Sequence, residues 1–350
     1  RVTEQIRKGA YADITTSTIT SLKDGSLSAA ELSYQSATSA DARIANVYDD
    51  QGRLAYSLTD IDGIQAAVKQ NHYDAAGNLV KTSGYSKTVN YKGNYSNSEL
   101  LNTLSSKNAL NDNNNRTNWF YYDKADRLRF SVDSSGAITE TRYDNTGKIS
   151  TIVQYENSLR NSSLSTQFNT GTLDYSQLQT QYQGNVFSST DRVTQQTYDN
   201  AGRLISVKDA AGYTERYNYN SNGLLYSRID KNNQEWRYSY DSSGRVTAEF
   251  SPFMSGIKTL INGSYQNVDG YAVKQYEYDA TGNVTSISEG VYKGNSIPQT
   301  LTFHGQTRKT LFSYDVAGRQ TKVTQPDADN APKTWSVTEY NALGYAVQLH

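Results

Sequence analysis

No cysteine occurs in the 350 residues, so the chain can form neither a disulfide nor a thiolate metal site. Long apolar runs are missing too: none approaches the roughly 20 residues a membrane-spanning helix needs, and no signal peptide is visible. Neither sign of charge is in excess. With 34 Lys+Arg against 35 Asp+Glu the formal net charge is −1, which leaves no basic field to attract nucleic acid or an anionic membrane. Aliphatic residues are sparse, with hydrophobic residues at 36% and a mean hydropathy of −0.74. That composition suits a thin sheet with two wetted faces rather than a thick core. The 29 tyrosines argue against disorder, because disordered chains lack aromatics and β-branched residues.

Catalytic signatures are equally scarce. The three histidines, His72, His304 and His350, are far apart. His72 directly precedes a Tyr that recurs along the chain, where other copies carry Arg or Thr, and reads as a strand-face residue. No Gly-x-Ser-x-Gly elbow, His-Glu-x-x-His pair or Gly-rich phosphate loop is present. Asp60-Ile61-Asp62-Gly63 and Asn111-Asp112-Asn113-Asn114-Asn115 look like fragments of calcium loops. Neither has the full ligand series of an EF-hand, and both read as turns. No catalytic, cofactor-binding or metal residue is therefore assigned, no cofactor is expected, and the chain is not expected to be an enzyme; ligand-binding residues stay unassigned.

What is present is a period. Tyr198, Tyr219 and Tyr240 stand 21 residues apart and open the segments YDNAGRL, YNSNGLL and YDSSGRV. A fixed period indicates stacked repeats. Asp-x-x-Gly makes a type I turn in which the Asp carboxylate bonds its own backbone two residues on and Gly takes a positive φ. A second turn of the same kind, Asp209-Ala210-Ala211-Gly212, follows. Between the turns lie short runs rich in Tyr, Thr, Val and Ile, which favour strands. Each unit is thus strand, turn, strand, turn. Trp236, Tyr238 and Tyr240 alternate and share one face, and an aromatic two residues before the repeat Tyr recurs at Phe120, Tyr217, Tyr276 and Phe312. Leu204-Ile205 and Leu224-Leu225 break the alternation, so one face is expected to pack well and the other to be mixed. Further copies of the unit start at Tyr48, Tyr73, Tyr143, Tyr278 and Tyr314, with degenerate ones at Tyr122, where Asp126 replaces Gly, and at Tyr340, where Asn341 replaces Asp.

Ten spaced Tyr-Asp-x-x-Gly units resemble the Rhs/YD-repeat family, which includes Rhs polymorphic toxins, Tc-toxin cocoon components and teneurins. The resemblance runs from about Asn46 to the C-terminus. It implies an all-β fold: a YD-repeat β-hairpin array forming a curved, shell-like sheet with short helical insertions. It also implies a structural, encapsulating shell segment of a large secreted bacterial toxin-related protein, enclosing or displaying a C-terminal effector. The family's Asp-Pro self-cleavage segment has no counterpart, since no Asp-Pro dipeptide occurs.

Four regions are expected. Residues 1–45 are a partial module with a capping box at Ser28-Ala29-Ala30-Glu31 opening a helix to about Gln35. Residues 46–197 are YD modules with helical insertions at about 87–118 and 157–190, the helices centred on Ser98–Leu104 and Leu173–Leu178. Residues 198–250 are uninterrupted 21-residue repeats, and 251–350 carry repeats with longer loops. Because the chain starts at Arg1 in mid-pattern, it is expected to be a segment of a longer protein. The expected partners are its own downstream effector domain or a secretion apparatus, at a secreted or cell-surface location in a bacterium, with no nucleic acid and no membrane insertion. The alternative is an adhesin segment binding a cell-surface glycan through Tyr85, Tyr91, Tyr95, Trp119 and Tyr121, loop aromatics over a rigid scaffold.

Overall fold

The computed structural model describes residues 4–7, 42–182, 184, 187–294, 298, 300–325, 335–341, 344 and 346–349. The expected Ser28–Gln35 helix and His350 lie outside these. The chain divides into two compact units, one centred on Ser33–Gln196 and the other on Thr197–Lys208 with Gly212–His350.

The first unit is an antiparallel meander. Strand β1 (Glu4–Arg7) pairs with β2 (Ala42–Tyr48), followed in order by β3 (Leu54–Asp60), β4 (Gln65–Tyr73) and β5 (Leu79–Gly84). An insertion then leaves the sheet. It contributes β6 (Val89–Asn90), which pairs with β4, and helix α1 (Asn97–Ser106). The chain returns as β7 (Arg116–Tyr122) against β5 and continues through β8 (Leu128–Val132), β9 (Ile138–Tyr143) and β10 (Ile149–Gln154). A second insertion holds a 3-10 turn (Leu159–Asn161), α2 (Ser165–Thr170) and α3 (Tyr175–Gln181), before β11 (Arg192–Tyr198) pairs with β10. Helix α1 spans the expected Ser98–Leu104 segment, while α3 begins two residues after the expected Leu173 and runs on to Gln181. Ser96 caps α1 by accepting the Glu99 N–H, and Asp174 with Gln177 makes a capping box on α3. The 3-10 turn and α2 were not anticipated.

In the second unit, β12 (Leu204–Lys208), β13 (Thr214–Tyr219), β14 (Leu225–Ile229), β15 (Glu235–Tyr240) and β16 (Val246–Phe250) pair in sequence without interruption. A long hairpin of β17 (Met254–Ile261) and β18 (Ser264–Tyr278) follows, and the later part of β18 returns to β16. Then come β19 (Val284–Tyr292), β20 (Arg308–Tyr314), β21 (Gln320–Thr324), β22 (Trp335–Tyr340) and β23 (Ala346–Leu349). No helix among the described residues is long and apolar enough to cross a membrane.

The register explains where the core sits. Residues directly opposite in an antiparallel pair share a face. Val47 faces Tyr56, which faces Gln70; Ala45 faces Leu58, which faces Val68. Helix α1 lays Leu100 and Leu104 on this face, and all of these apolar residues are buried. In the next module Phe130 and Val132 play the parts of Tyr56 and Leu58, and Leu159, Phe168, Leu173 and Leu178 of the second insertion cover them. In the second unit Ala248 and Phe250 stand at the same offsets, eight and ten residues after a repeat Tyr. They pack with Val273, Tyr271, Tyr292, Leu301 and Phe303. In the uninterrupted stretch those offsets hold Ser206 and Lys208, then Ser227 and Ile229. An apolar residue at both of these positions therefore coincides with a covering segment.

Candidate functional site

The recurring feature of the structure is a clasp built from the repeat motif itself. In the first copy, Asp49 Oδ1 accepts the N–H groups of Gln51 and Arg53, at 3.0 and 2.8 Å, while Gly52 adopts φ 79°. The expected bond to the second residue forms, and a further bond to the fourth is added. The same double acceptance recurs at Asp144, Asn220, Asp241, Asp279 and Asp315. At the degenerate copy Asp126 occupies the Gly position with φ 55°, a conformation Asp tolerates better than most residues. A register shift falls at the repeat Tyr of each such hairpin, for example between Asn218 and Tyr219 or Ser239 and Tyr240. In β14 the extra residue falls at Leu225-Tyr226, while Leu224 lies before the strand, at the position that holds Arg in other copies.

Two further parts were not legible from turn chemistry. The Arg that follows the Gly position folds back, so that Arg53, Arg127, Arg203, Arg245 and Arg319 donate Nε to their own repeat's Asp at 2.6–2.9 Å. Each guanidinium then lies over the ring of the next repeat Tyr, 4.5–4.7 Å from its centroid: Tyr73, Tyr143, Tyr219, Tyr278 and Tyr340 in turn. That Tyr hydroxyl donates to a carbonyl of the preceding repeat, always six residues beyond its Tyr. The acceptors are Leu54, Leu79, Leu128, Leu204, Leu225, Val246, Val284 and Gln320, at 2.7–3.0 Å. Tyr122 makes this bond to Leu79 across the whole first insertion. Where Asn replaces Arg, at Asn78 and Asn283, the bond to the Asp carboxylate is kept without the stacked cation. The recurrence of Arg five residues after the repeat Tyr was the available sequence signal.

The clasp carboxylates are held below the usual range. For Asp49 and Asp199 the leading cause is the backbone bond from the Arg, and for Asp279, near 2, it is the hydroxyl of Thr281 followed by the Asn283 amide.

Glu140 is a fully buried charge. Glu140 accepts from Arg142 Nε at 2.9 Å and from the Tyr155 hydroxyl at 2.6 Å, and Arg129 lies 2.7 Å from its other oxygen. Burial first, and then Glu140, pushes the Tyr155 hydroxyl pKa up. In the preceding module Gln70 takes the same place, three residues before the repeat Tyr. It donates to the Tyr56 hydroxyl at 2.8 Å and accepts from Tyr85. A charged network in one module is thus a neutral one in the other.

The aromatics considered for glycan binding lie at the packing between insertions and sheet. Tyr85, Tyr91 and Tyr95 pack on the α1 cluster. Trp119 meets Phe168 edge-on at 5.1 Å, and Tyr121 packs on the second cluster. His72 is half-buried on β4 opposite Lys81, and burial and then that lysine lower its pKa. The calcium-like segments bond internally: Asp60 caps Gly63, Asp62 caps Ile64 and Gln65, and Asp112 caps Asn114.

No curated protein matches the chain. Among solved structures, the TcdB2–TccC3 crystal structure is 13% identical with a TM-score of 0.36, and the Photorhabdus luminescens Tc holotoxin pore is 14% identical with a TM-score of 0.35. In both cases the alignment covers 87% of this chain and 18% of the other. A porin-like protein from Bacteroides uniformis aligns over 88% of this chain and 92% of its own, with 12% identity and a TM-score of 0.23. Structural overlaps this partial add no weight. The sequence does: the RHS repeat family model matches residues 219–249, the unit whose Tyr219 and Tyr240 both make the recurring hydroxyl bond. The matched unit recurs through the rest of the chain with the same turn and tyrosine bond, so the chain is built of RHS/YD repeats.

Proposed function

We propose that the chain is a wall segment of a larger secreted bacterial protein, acting by steric enclosure or display of a C-terminal effector and not as an enzyme in its own right. The observation that carries this reading is the clasp. Eight tyrosine hydroxyls reach the same offset of the preceding repeat, so the motif is spent on joining each hairpin to the next. The residues that recur are committed to one another, which suits a barrier better than a binding surface. The insertions support the same reading, since they seal apolar sheet face with helices whose outer sides are polar apart from Leu101. A secretion apparatus is the further partner expected of such a protein. A glycan-binding adhesin is less well supported, because its five candidate aromatics are engaged in packing.

Limited proteolysis of the full-length protein, with mass spectrometry of the surviving fragments, tests this. Enclosure predicts that a separable C-terminal domain survives while the repeat region is intact and becomes digestible once the repeats are opened. Free removal of the C-terminus from a persisting repeat array would refute it.

A further inference from the structure

The geometry points to a binding pocket for a small apolar organic cation in the second unit, on the sheet face that carries the repeat tyrosines. A cleft of about 610 Å³ opens there, with Trp236, Pro252 and Met254 among its walls. That volume lies within the range of small-molecule sites, which are largely apolar with a few placed polar groups. The hollow has a cause in the sequence. Across the strands from Trp236 the next positions are Ser251 and Ala272, joined by the bond from Ser251 N–H to the Ala272 carbonyl at 2.9 Å. Two small side chains beside an indole leave space that a Leu or Tyr would fill.

The charge at this cleft is one-sided. Glu249 faces Lys274, which faces Glu289, and Asp230 lines the same cleft. The ammonium of Lys274 pairs with Glu289 at 3.1 Å. Glu249 accepts only the Tyr276 hydroxyl, at 3.1 Å, and Asp230 accepts the N–H groups of Asn232 and Gln234. Among the described residues Glu249 forms no ion pair, whereas Asp230 also feels the charge of Arg228, which pairs with Glu215 at 2.7 Å and lies 5.9 Å from the Trp236 ring centroid, outside the cleft lining. Three carboxylates against one ammonium, around an apolar floor with an indole, complement a ligand with an apolar body and one positive charge. A neutral sugar would leave the Glu249 carboxylate without a partner, and an anion would be repelled.

The probe is 2-phenylethylamine, titrated into the intact chain by calorimetry and compared with uncharged 2-phenylethanol. A nine-heavy-atom probe is expected to bind with a Kd on the order of 1 mM. The amine should bind at least about threefold more tightly than the alcohol. Glu249→Gln should remove most of that preference, and Lys274→Met, which frees Glu289, should increase it. Trp236→Ala should weaken both probes. Unchanged far- and near-ultraviolet circular dichroism establishes that each variant is folded. Equal affinity for amine and alcohol, no effect of Glu249→Gln in a folded variant, or no binding of the amine by the wild-type chain would each overturn the assignment.

Discussion

Removing one clasp should cost a predictable amount, divided in a predictable way. In the uninterrupted stretch, Tyr219 donates to the Leu204 carbonyl at 2.9 Å, and Arg203 stacks on its ring at 4.7 Å while bonding Asp199. Tyr219→Phe keeps the ring and deletes the hydroxyl, leaving a partly buried carbonyl unpaired, for an expected loss of about 1 kcal/mol. Arg203→Ala removes the stacked cation, about 0.5–1 kcal/mol, together with the surface ion pair to Asp199. Because Phe still offers a face to the guanidinium, Arg203→Ala and Tyr219→Phe should add to within ~0.5 kcal/mol. Replacing the whole ring is different: Arg203→Ala and Tyr219→Ala should couple by about 0.5–1 kcal/mol. A hairpin array need not unfold in one step. The suitable assay is therefore hydrogen exchange read by mass spectrometry on peptides spanning β12 to β14, which reports local opening energies. A neutral Tyr219→Phe, or additive Arg203→Ala and Tyr219→Ala, would refute the clasp as an energetic unit.

Other perturbations follow from the same geometry. Leu104→Ala, at a fully buried site under α1, should cost about 2–5 kcal/mol and appear as lost exchange protection across Asn97–Ser106. Glu140→Ala should cost about 3 kcal/mol, since it strands Arg129 and Arg142. Gln70→Ala in the neutral counterpart should cost about 1–2 kcal/mol, and paired urea melts compare the two. Acid should loosen the hairpins. The clasp aspartates have depressed folded-state pKa values, so their contribution is present above about pH 4, the unfolded value, and is lost as pH falls through the folded values, near 2 for Asp279. Circular dichroism from pH 5 to about pH 2 should show the loss, and Asp279→Asn should flatten its share. Gly223→Ala should destabilise by about 1 kcal/mol or more, because Gly223 has φ 81° and a Cβ there would meet the Arg203 guanidinium at 3.3 Å.

The hairpin plan was readable because each turn is written in adjacent residues. Asp199 and Gly202 define it locally, and Ser96 and Asp174 mark helix starts in the same way. The clasp was not, since Arg203 and Tyr219 meet only after two strands have paired, and a turn rule for Asp and Gly leaves the residue after Gly unspecified. The coverage pattern lay in between. Tyr56, Leu58, Phe130 and Val132 are ordinary strand residues alone. Their meaning appears when they are aligned at a common distance from the repeat Tyr and set beside Ser206 and Lys208. The 3-10 turn is capped by Ser158 but is only three residues long, and α2 has no side-chain cap at Leu164 and buries Phe168.

Each tyrosine bond reaches back one repeat and no farther, even when an insertion intervenes, as between Tyr122 and Leu79. A lineage could therefore duplicate or delete one whole Tyr-to-Tyr unit, and every surviving hairpin would still meet a neighbour with the same acceptor at the same offset. Partial units would break the register at the junction. Gene length in such a protein is free to vary in whole-unit steps, and the helical insertions, which enter between units and return to the same ladder, are the places where new sequence can be accepted without rewriting the old.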